Sequence, residues 1–242
     1  MPMKNLVKRV LGAVGLRVVR TDRTFGLNPL VDIAMYYPER PVATVVDAGA
    51  NVGRFTAAAV RRYPDATVHA FEPVARTFRE LRANVGRHRN VRLHHAALGG
   101  QEGEGVVVLQ AHSEWNSLAP AVNTPRAGAA SEVVRVLTLD RLAVEGHFRR
   151  IDLLKTDTEG YDLEVLVGAA GLLAAGAVGF VLAEAAFDRA DRGHTNFFDL
   201  YDRLAGYGLR LFALYDQTVD PGERHAGYCN ALFVNPRPGP AG

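Results

Sequence analysis

Short β-branched runs alternate along most of the chain with longer stretches whose apolar residues recur every three or four positions. Val42–Val46, Ala66–Phe71, Val91–His95, Ile151–Thr156 and Val178–Ala183 are of the first kind and predict strands. Arg54–Tyr63, stopped by Pro64, and Val74–Val85, Tyr161–Ala175 and Phe197–Gly206 are of the second kind and predict helices. In Val74–Val85 the apolar face is Phe78, Leu81 and Val85, and Arg76, Arg79, Glu80 and Arg82 lie opposite. Thr195 or Asn196 offers an N-cap to the last helix. Leu209–Tyr215 and Ala226–Val234 read as a closing strand pair. Strands alternating with helices imply βαβ units and a parallel sheet. Right-handed crossovers then bring the loops that come after the strands to one edge.

Two regions depart from this rhythm and set the expected organisation. Residues 1–41 form an N-terminal helical extension, 42–235 the main domain and 236–242 a flexible tail. In the extension, Leu6, Val7, Val10, Leu11, Val14 and Val18 recur at helical spacing among Lys4, Lys8, Arg9, Arg17 and Arg20. That pattern suits a helix packed on the domain or on a second subunit, as in a homodimer. It also suits peripheral membrane contact through residues 4–20. Residues 21–41 are mixed, with Pro29, Pro38 and Pro41 as breakers. The second departure is an insert at about 100–136. There Gly105–Gln110 and Val133–Leu137 flank a polar, small-residue stretch containing Trp115, Asn116 and Ser117. It reads as a lid over a pocket or as a surface hairpin.

Composition narrows the partners. With 242 residues, 48% apolar and 22% charged, the chain can bury a full core. A net charge of +2 gives no broad footprint for nucleic acid. The lone Cys229 forms neither an internal disulfide nor a zinc cluster and reads as core. No apolar run approaches the ~20 residues of a membrane span. Lys8, Arg9 and Arg17 interrupt any signal-peptide core, so a cytoplasmic enzyme is expected.

The chemistry concentrates where strands end. Val45–Val46 leads through Asp47 into the turn Gly49-Ala50-Asn51-Val52-Gly53, and Phe71-Glu72-Pro73 closes the next strand. A dinucleotide fingerprint requires glycine at positions 49, 51 and 54, but Asn51 and Arg54 occupy the last two. The turn leads into no Gly-Lys-Ser/Thr, which excludes a P-loop. Asp47 would repel a pyrophosphate and suit a sulfonium or ammonium group, while Glu72 can accept hydrogen bonds from both ribose hydroxyls. A cationic ribose-bearing ligand without phosphate describes S-adenosyl-L-methionine. Asp157 and Glu184 end two later strands, and four strand-end acids on one edge argue for a shared cleft.

Asp47–Gly53, Phe71-Glu72-Pro73, Ala96-Ala97-Leu98-Gly99, Leu137-Thr138-Leu139-Asp140 and Leu154–Ala169 together resemble the FkbM family of S-adenosylmethionine-dependent methyltransferases. The Lys-Thr-Asp-Thr-Glu-Gly segment at 155–160 is the most specific part. The resemblance spans about residues 42–235. It implies a class I methyltransferase Rossmann-like α/β fold, with a seven-stranded, mostly parallel sheet, helices on both faces and an antiparallel final hairpin. It also implies O-methylation of a hydroxyl on a sugar, glycolipid or polyketide-type metabolite. By the same resemblance Asp47, Gly49, Ala50, Asn51 and Gly53 line the methionine part of the cofactor. Phe71, Glu72 and Pro73 hold the ribose side, Ala97 lies at the adenine and Asp157 lies near the methyl group. Thr158 departs mildly, standing where the family more often has a β-branched apolar residue.

Methylating an alcohol requires its proton to leave as the new bond forms. Asp157, Glu159 and His194 are the candidate catalytic residues, the last on the loop 187–195; His112 and His225 are weaker candidates. A magnesium ion held by Asp157, Glu159, Glu184 and Asp188 would do the same work by lowering the hydroxyl pKa. A non-catalytic nucleoside-binding protein and an NAD-dependent oxidoreductase are the competing readings.

Overall fold

A computed structural model describes residues 24–110, 116–118, 130–219 and 224–238, with isolated positions at 11, 13, 15, 20 and 222. The expected amphipathic segment at 4–20 therefore falls almost wholly outside the described residues, as do His112, Trp115 and the end of the tail. Residues 1–40 and 41–242 form separate compact units. In the first, helix α1 (Pro29–Tyr36) begins where a breaker was expected. Proline at a first helical position has no N–H to lose. Asn28 caps the helix, its side chain accepting from the N–H groups of Leu30 (2.9 Å) and Val31 (3.3 Å).

The second unit keeps to the alternation. Strands β1 (Thr44–Ala48), β2 (Thr67–Phe71) and β3 (Val91–His94) are joined through α2 (Arg54–Arg62) and α3 (Ala75–Val85). After the insert come α4 (Leu139–Val144), β7 (Ile151–Thr156), α5 (Asp162–Val167), α6 (Ala170–Ala174), β8 (Val178–Ala186), α7 (Phe197–Gly206), β9 (Arg210–Tyr215) and β10 (Tyr228–Val234). The sheet order is β3-β2-β1-β7-β8-β10-β9. Strands β1, β2, β3, β7 and β8 pair in parallel, whereas β10 runs antiparallel to both β8 and β9.

Alternate residues of the central strands supply the two faces. Val46, Ala48, Leu154, Val181 and Ala183 join Leu142, Leu166, Leu173, Leu200 and Leu204 from α4 to α7 in the main core. On the other face Asp47 and Lys155, paired across β1 and β7, meet Thr56 and Phe55 of α2. Cys229 lies in the main core.

The single helix expected at Tyr161–Ala175 is two short ones, broken at Gly168. A side chain at Gly168 would run into the carbonyl oxygen of Gly99. The close approach of that distant loop sets the break. Asp140, in the first turn of α4, also caps α6, its side chain accepting from the N–H groups of Gly171 (2.7 Å) and Leu172 (2.9 Å).

The insert is an ordered hairpin in its described parts. Strands β5 (Gly103–Val108) and β6 (Ser131–Leu137) pair antiparallel, and β4 (Ala97–Leu98) joins β6 in parallel. Val74, Ala97, Val107, Val134 and Val136 form a small core of their own. Among the described residues no helix is long and apolar enough to cross a membrane.

A histidine group lies at the β2–β3 edge. Nδ1 of His69 is 3.2 Å from Nε2 of His94, and His94 stacks on Phe71 at 4.2 Å. Burial, then the neighbouring imidazoles, pushes both His69 and His94 from 6.5 down to about 4. Below pH 6.5 the unfolded chain takes up protons that the folded chain refuses, so stability declines as pH falls from 6.5 towards 4. Thermal denaturation across that window should show a falling Tm, and the fall should be shallower in His94→Gln. An equal fall in both proteins would assign the acid lability elsewhere.

Candidate active site

The carboxyl ends of β1, β2 and β7 form one cleft edge, as open α/β sheets require. The cavity there is lined by Gly49, Asn51, Glu72, Pro73, Ala97 and Asp157, joined by Thr158, Glu159, Tyr161 and Asn116–Leu118. Most of the residues expected to hold the cofactor thus meet in one place.

The turn after β1 is shaped by its backbone. Gly49 has φ 75°, and a side chain there would run into the carbonyl oxygen of Asp157. Asn51 also adopts the left-handed region (φ 47°), which asparagine tolerates better than most residues. Ala50 N–H donates to the Phe71 carbonyl (2.9 Å), and Gly53 N–H to the Ala50 carbonyl (2.8 Å). Ala50, Gly53 and Phe71 therefore build the turn from behind and are not among the cavity-lining residues.

Glu72 is buried at the tip of β2. Its Oε2 accepts from the Asn51 N–H (3.0 Å) and its Oε1 from the Val74 N–H (2.9 Å). Each oxygen keeps a second lone pair for a ligand. Burial raises the carboxyl to about 7 despite these two donors. Hydroxyl donors from a ribose would favour the charged form.

Asp47 is set apart from this cavity. It is fully buried, with Oδ2 accepting from the Thr56 hydroxyl (2.6 Å) and Oδ1 3.7 Å from Lys155 Nζ. Its charge faces a lysine, whereas the sequence pointed it at a cationic ligand. Burial raises its pKa even with that lysine near. Lys155 Nζ also donates to Asp157 Oδ2 (2.9 Å). Burial would raise the Asp157 pKa, but Lys155 outweighs it and holds the carboxyl below its usual range. The cavity thus receives one firmly ionised carboxylate at the end of β7.

Beyond Asp157 lie Glu159, Glu184 and the loop that carries His194. Glu159 sits at φ 52° between Thr158 and Gly160. Ser117 ties the insert to this loop, its hydroxyl donating to the carbonyls of Glu159 (2.6 Å) and Thr158 (3.2 Å). Asp162 is buried beneath, accepting from the Thr195 hydroxyl (2.9 Å). His194 stacks on Tyr228 at 4.7 Å, with Nδ1 3.0 Å from Asp191 Oδ2. One ligand-type atom each from Glu159, Glu184 and His194 lies within 4.8 Å of the others. Burial, then the Asp157 and Glu159 charges, raises the Glu184 carboxyl to about 9.

Two expectations are corrected here. Asp188, counted towards an all-oxygen cation site, is not in this group. It accepts from the Ala190 N–H (2.8 Å) and lies 3.9 Å from His225. Its short side chain is spent in its own loop, and His225 goes with it. Lys155 opens the Lys-Thr-Asp-Thr-Glu-Gly segment without being read as a site residue, and Asp191 is not read as one either. The Asp-Arg-Gly-His run at 191–194 was the available signal for the latter, since Asp191 also accepts from the Gly193 (2.7 Å) and His194 (3.0 Å) N–H groups.

The strand order, the antiparallel final pair and this cleft define a class I methyltransferase fold. Residues 47–211 match the Methyltransferase FkbM domain family, and the chain belongs to that family. It is 32% identical over 142 residues to Methyltransferase 1 of Beauveria bassiana (strain ARSEF 2860), covering 51% of this chain and 57% of that protein. It is 52% identical over 50 residues to the 31-O-demethyl-FK506 methyltransferase FkbM of Streptomyces tacrolimicus, covering 21% of this chain and 19% of that protein. The chain thus spans little more than half the length of the first relative and a fifth of the second. A solved structure, the magnesium protoporphyrin IX methyltransferase ChlM of Synechocystis PCC 6803 with bound SAM, aligns over 97% of this chain and 98% of its own. Its TM-score is 0.47 at 13% identity.

Replacing Glu72 by Ala should weaken S-adenosylhomocysteine binding by about 1–3 kcal/mol, the worth of a charged acceptor. Calorimetry checks this, and unchanged affinity would remove Glu72 from the site. Gly49→Ala should also lose affinity, because the turn must shift off the Asp157 carbonyl.

Proposed function

We propose that the protein is an S-adenosylmethionine-dependent O-methyltransferase acting on a hydroxyl of a sugar, glycolipid or polyketide-type metabolite. The observation that carries this reading is what meets around one cavity. A turn and strand-end acid suited to a phosphate-free nucleoside line it together with Asp157 and Glu159. Glu184 and His194, able with Glu159 to handle a hydroxyl proton, converge on Glu159. The donor set fits the cofactor: Glu72 would hold the ribose, Gly49 and Asn51 the amino-acid part, and Ala97 the adenine. Bound there, the cofactor supplies an electrophilic methyl group on a sulfonium.

The protein's own contribution is alignment and charge. Asp157, kept ionised by Lys155, complements a sulfonium at the cleft floor. Ser117 closes the insert over the Thr158–Glu159 backbone, which limits water at the reacting end. The acceptor hydroxyl loses its proton beside Glu159, Glu184 and His194 as its oxygen takes the methyl group. The name of one relative, 31-O-demethyl-FK506 methyltransferase FkbM, favours oxygen as the acceptor atom. A cytoplasmic location and a homodimer belong to the same reading, as does membrane contact through 4–20, which would bring the site to lipid-linked acceptors.

Calorimetry with S-adenosylhomocysteine and with NAD is the first test. Binding of the former alone is expected; tight NAD binding with no response to the homocysteine product would overturn the reading. Mass spectrometry of a panel of glycosides and polyketide alcohols, incubated with enzyme and methyl donor, should then show a gain of one methyl group. Methylation of amines only would replace O-transfer with N-transfer.

A further inference from the structure

We infer that Glu159, Glu184 and His194 form a binding site for one divalent first-row metal ion at the acceptor side of the cleft. The inference rests on the methyltransferase reading for its role, though not for its geometry.

The three side chains come from different places: the loop after β7, the end of β8 and the loop before α7. They converge to within 4.8 Å on half-buried ground. His194 Nε2 stands 3.8 Å from Glu184 Oε2. That is too long for a hydrogen bond, yet close to the spacing of two ligands that each approach one ion at ~2.0–2.2 Å. A small contraction would complete the coordination edge.

The imidazole is arranged as a ligand's would be. Its Nδ1 faces Asp191 Oδ2 at 3.0 Å, and Asp191 is fixed in turn by the Gly193 and His194 N–H groups. Tyr228 stacks on the ring at an interplanar angle of 16°. A carboxylate on the far nitrogen fixes the tautomer and leaves Nε2 with its lone pair towards the site, the usual support of a metal-bound histidine.

The electrostatics point the same way. Glu184 has the Asp157 and Glu159 carboxylates as neighbours. Two carboxylates with one neutral imidazole balance the charge of a dication. The nitrogen donor shifts preference from magnesium, which favours an all-oxygen shell, towards manganese, iron, cobalt or zinc. Such an ion would lower the pKa of a hydroxyl placed next to Asp157. His194 then serves as a ligand, and the proton leaves to solvent.

Manganese is the probe, because free Mn²⁺ has an EPR signal that disappears on binding. Titration of the full chain should show one saturable site per chain. His194→Ala and Glu184→Gln should each weaken it by more than about tenfold, and Asp191→Asn by about tenfold. Asp188→Asn should leave it unchanged. S-adenosylhomocysteine affinity, measured on the same samples, reports that each variant is folded and should stay within about twofold. Absence of a saturable site for manganese, cobalt and zinc in wild type that binds S-adenosylhomocysteine overturns the metal site alone. So does a site indifferent to His194→Ala. Failure to bind S-adenosylhomocysteine overturns the methyltransferase reading instead.

Discussion

The buried ammonium of Lys155 is the interaction on which the rest of this site depends. It lies between Asp47 of β1 and Asp157 at the end of β7, at 3.7 and 2.9 Å, with the Phe55 ring 5.7 Å away. Burying Lys155 and Asp47 is costly, and only mutual compensation makes it tolerable. Removing Lys155 would leave two acids facing each other across neighbouring strands. The short contact goes to Asp157, so Asp157 carries the negative charge into the cleft, while Asp47 stays enclosed. One group therefore ties the central strand pair to the charge that lines the cavity at Asp157. Glu184 responds to the same field: with Asp157 held ionised, the neighbouring carboxyl is the one that takes up a proton.

This arrangement separates two jobs that strand position alone assigns equally to both acids. Glu72 faces the cavity, each of its oxygens accepting one main-chain N–H. Asp47 faces Lys155 and supports. The turn between them is fixed by main-chain bonds to Phe71 and by the closeness of Gly49 to Asp157, so the ligand-facing surface belongs to a rigid frame. The insert is bound to that frame at Ser117, across 42 residues of chain from the Glu159 carbonyl it meets. The insert is thereby coupled to the backbone that carries Glu159.

The order of strands and helices was legible because it rests on local periodicity, and the cleft because strand-end residues in a parallel sheet must share an edge. Asp47 shows where that logic stops. An acid before a glycine turn reads as a ligand contact until the register places Lys155 beside it, and register between β1 and β7 is a property of residues more than a hundred positions apart. Gly168 is a second case: its run of apolar neighbours continues a helix, and only the approach of Gly99 ends it. Pro29 is a third, since a proline marks a break or a beginning depending on whether the residue before it, here Asn28, caps a helix. In each the missing information is a bond or contact through space, which pattern alone does not carry.

The same distinction separates the two sides of the active site as proposed. The cofactor side would be one contiguous βαβ unit, Asp47 to Pro73, plus the strand that pairs with it, so its chemistry is written in short motifs. The acceptor side would be assembled from Glu159, Glu184, His194 and the insert, each on a separate connection. Sequence placed these acids and the histidine on one edge without saying which would touch. The geometry selects among them: Asp188 turns to its own loop, while Asp191 orients His194 towards Glu184. Such selection is expected of a fold that keeps a fixed way of holding the methyl donor and leaves the choice of acceptor to its loops.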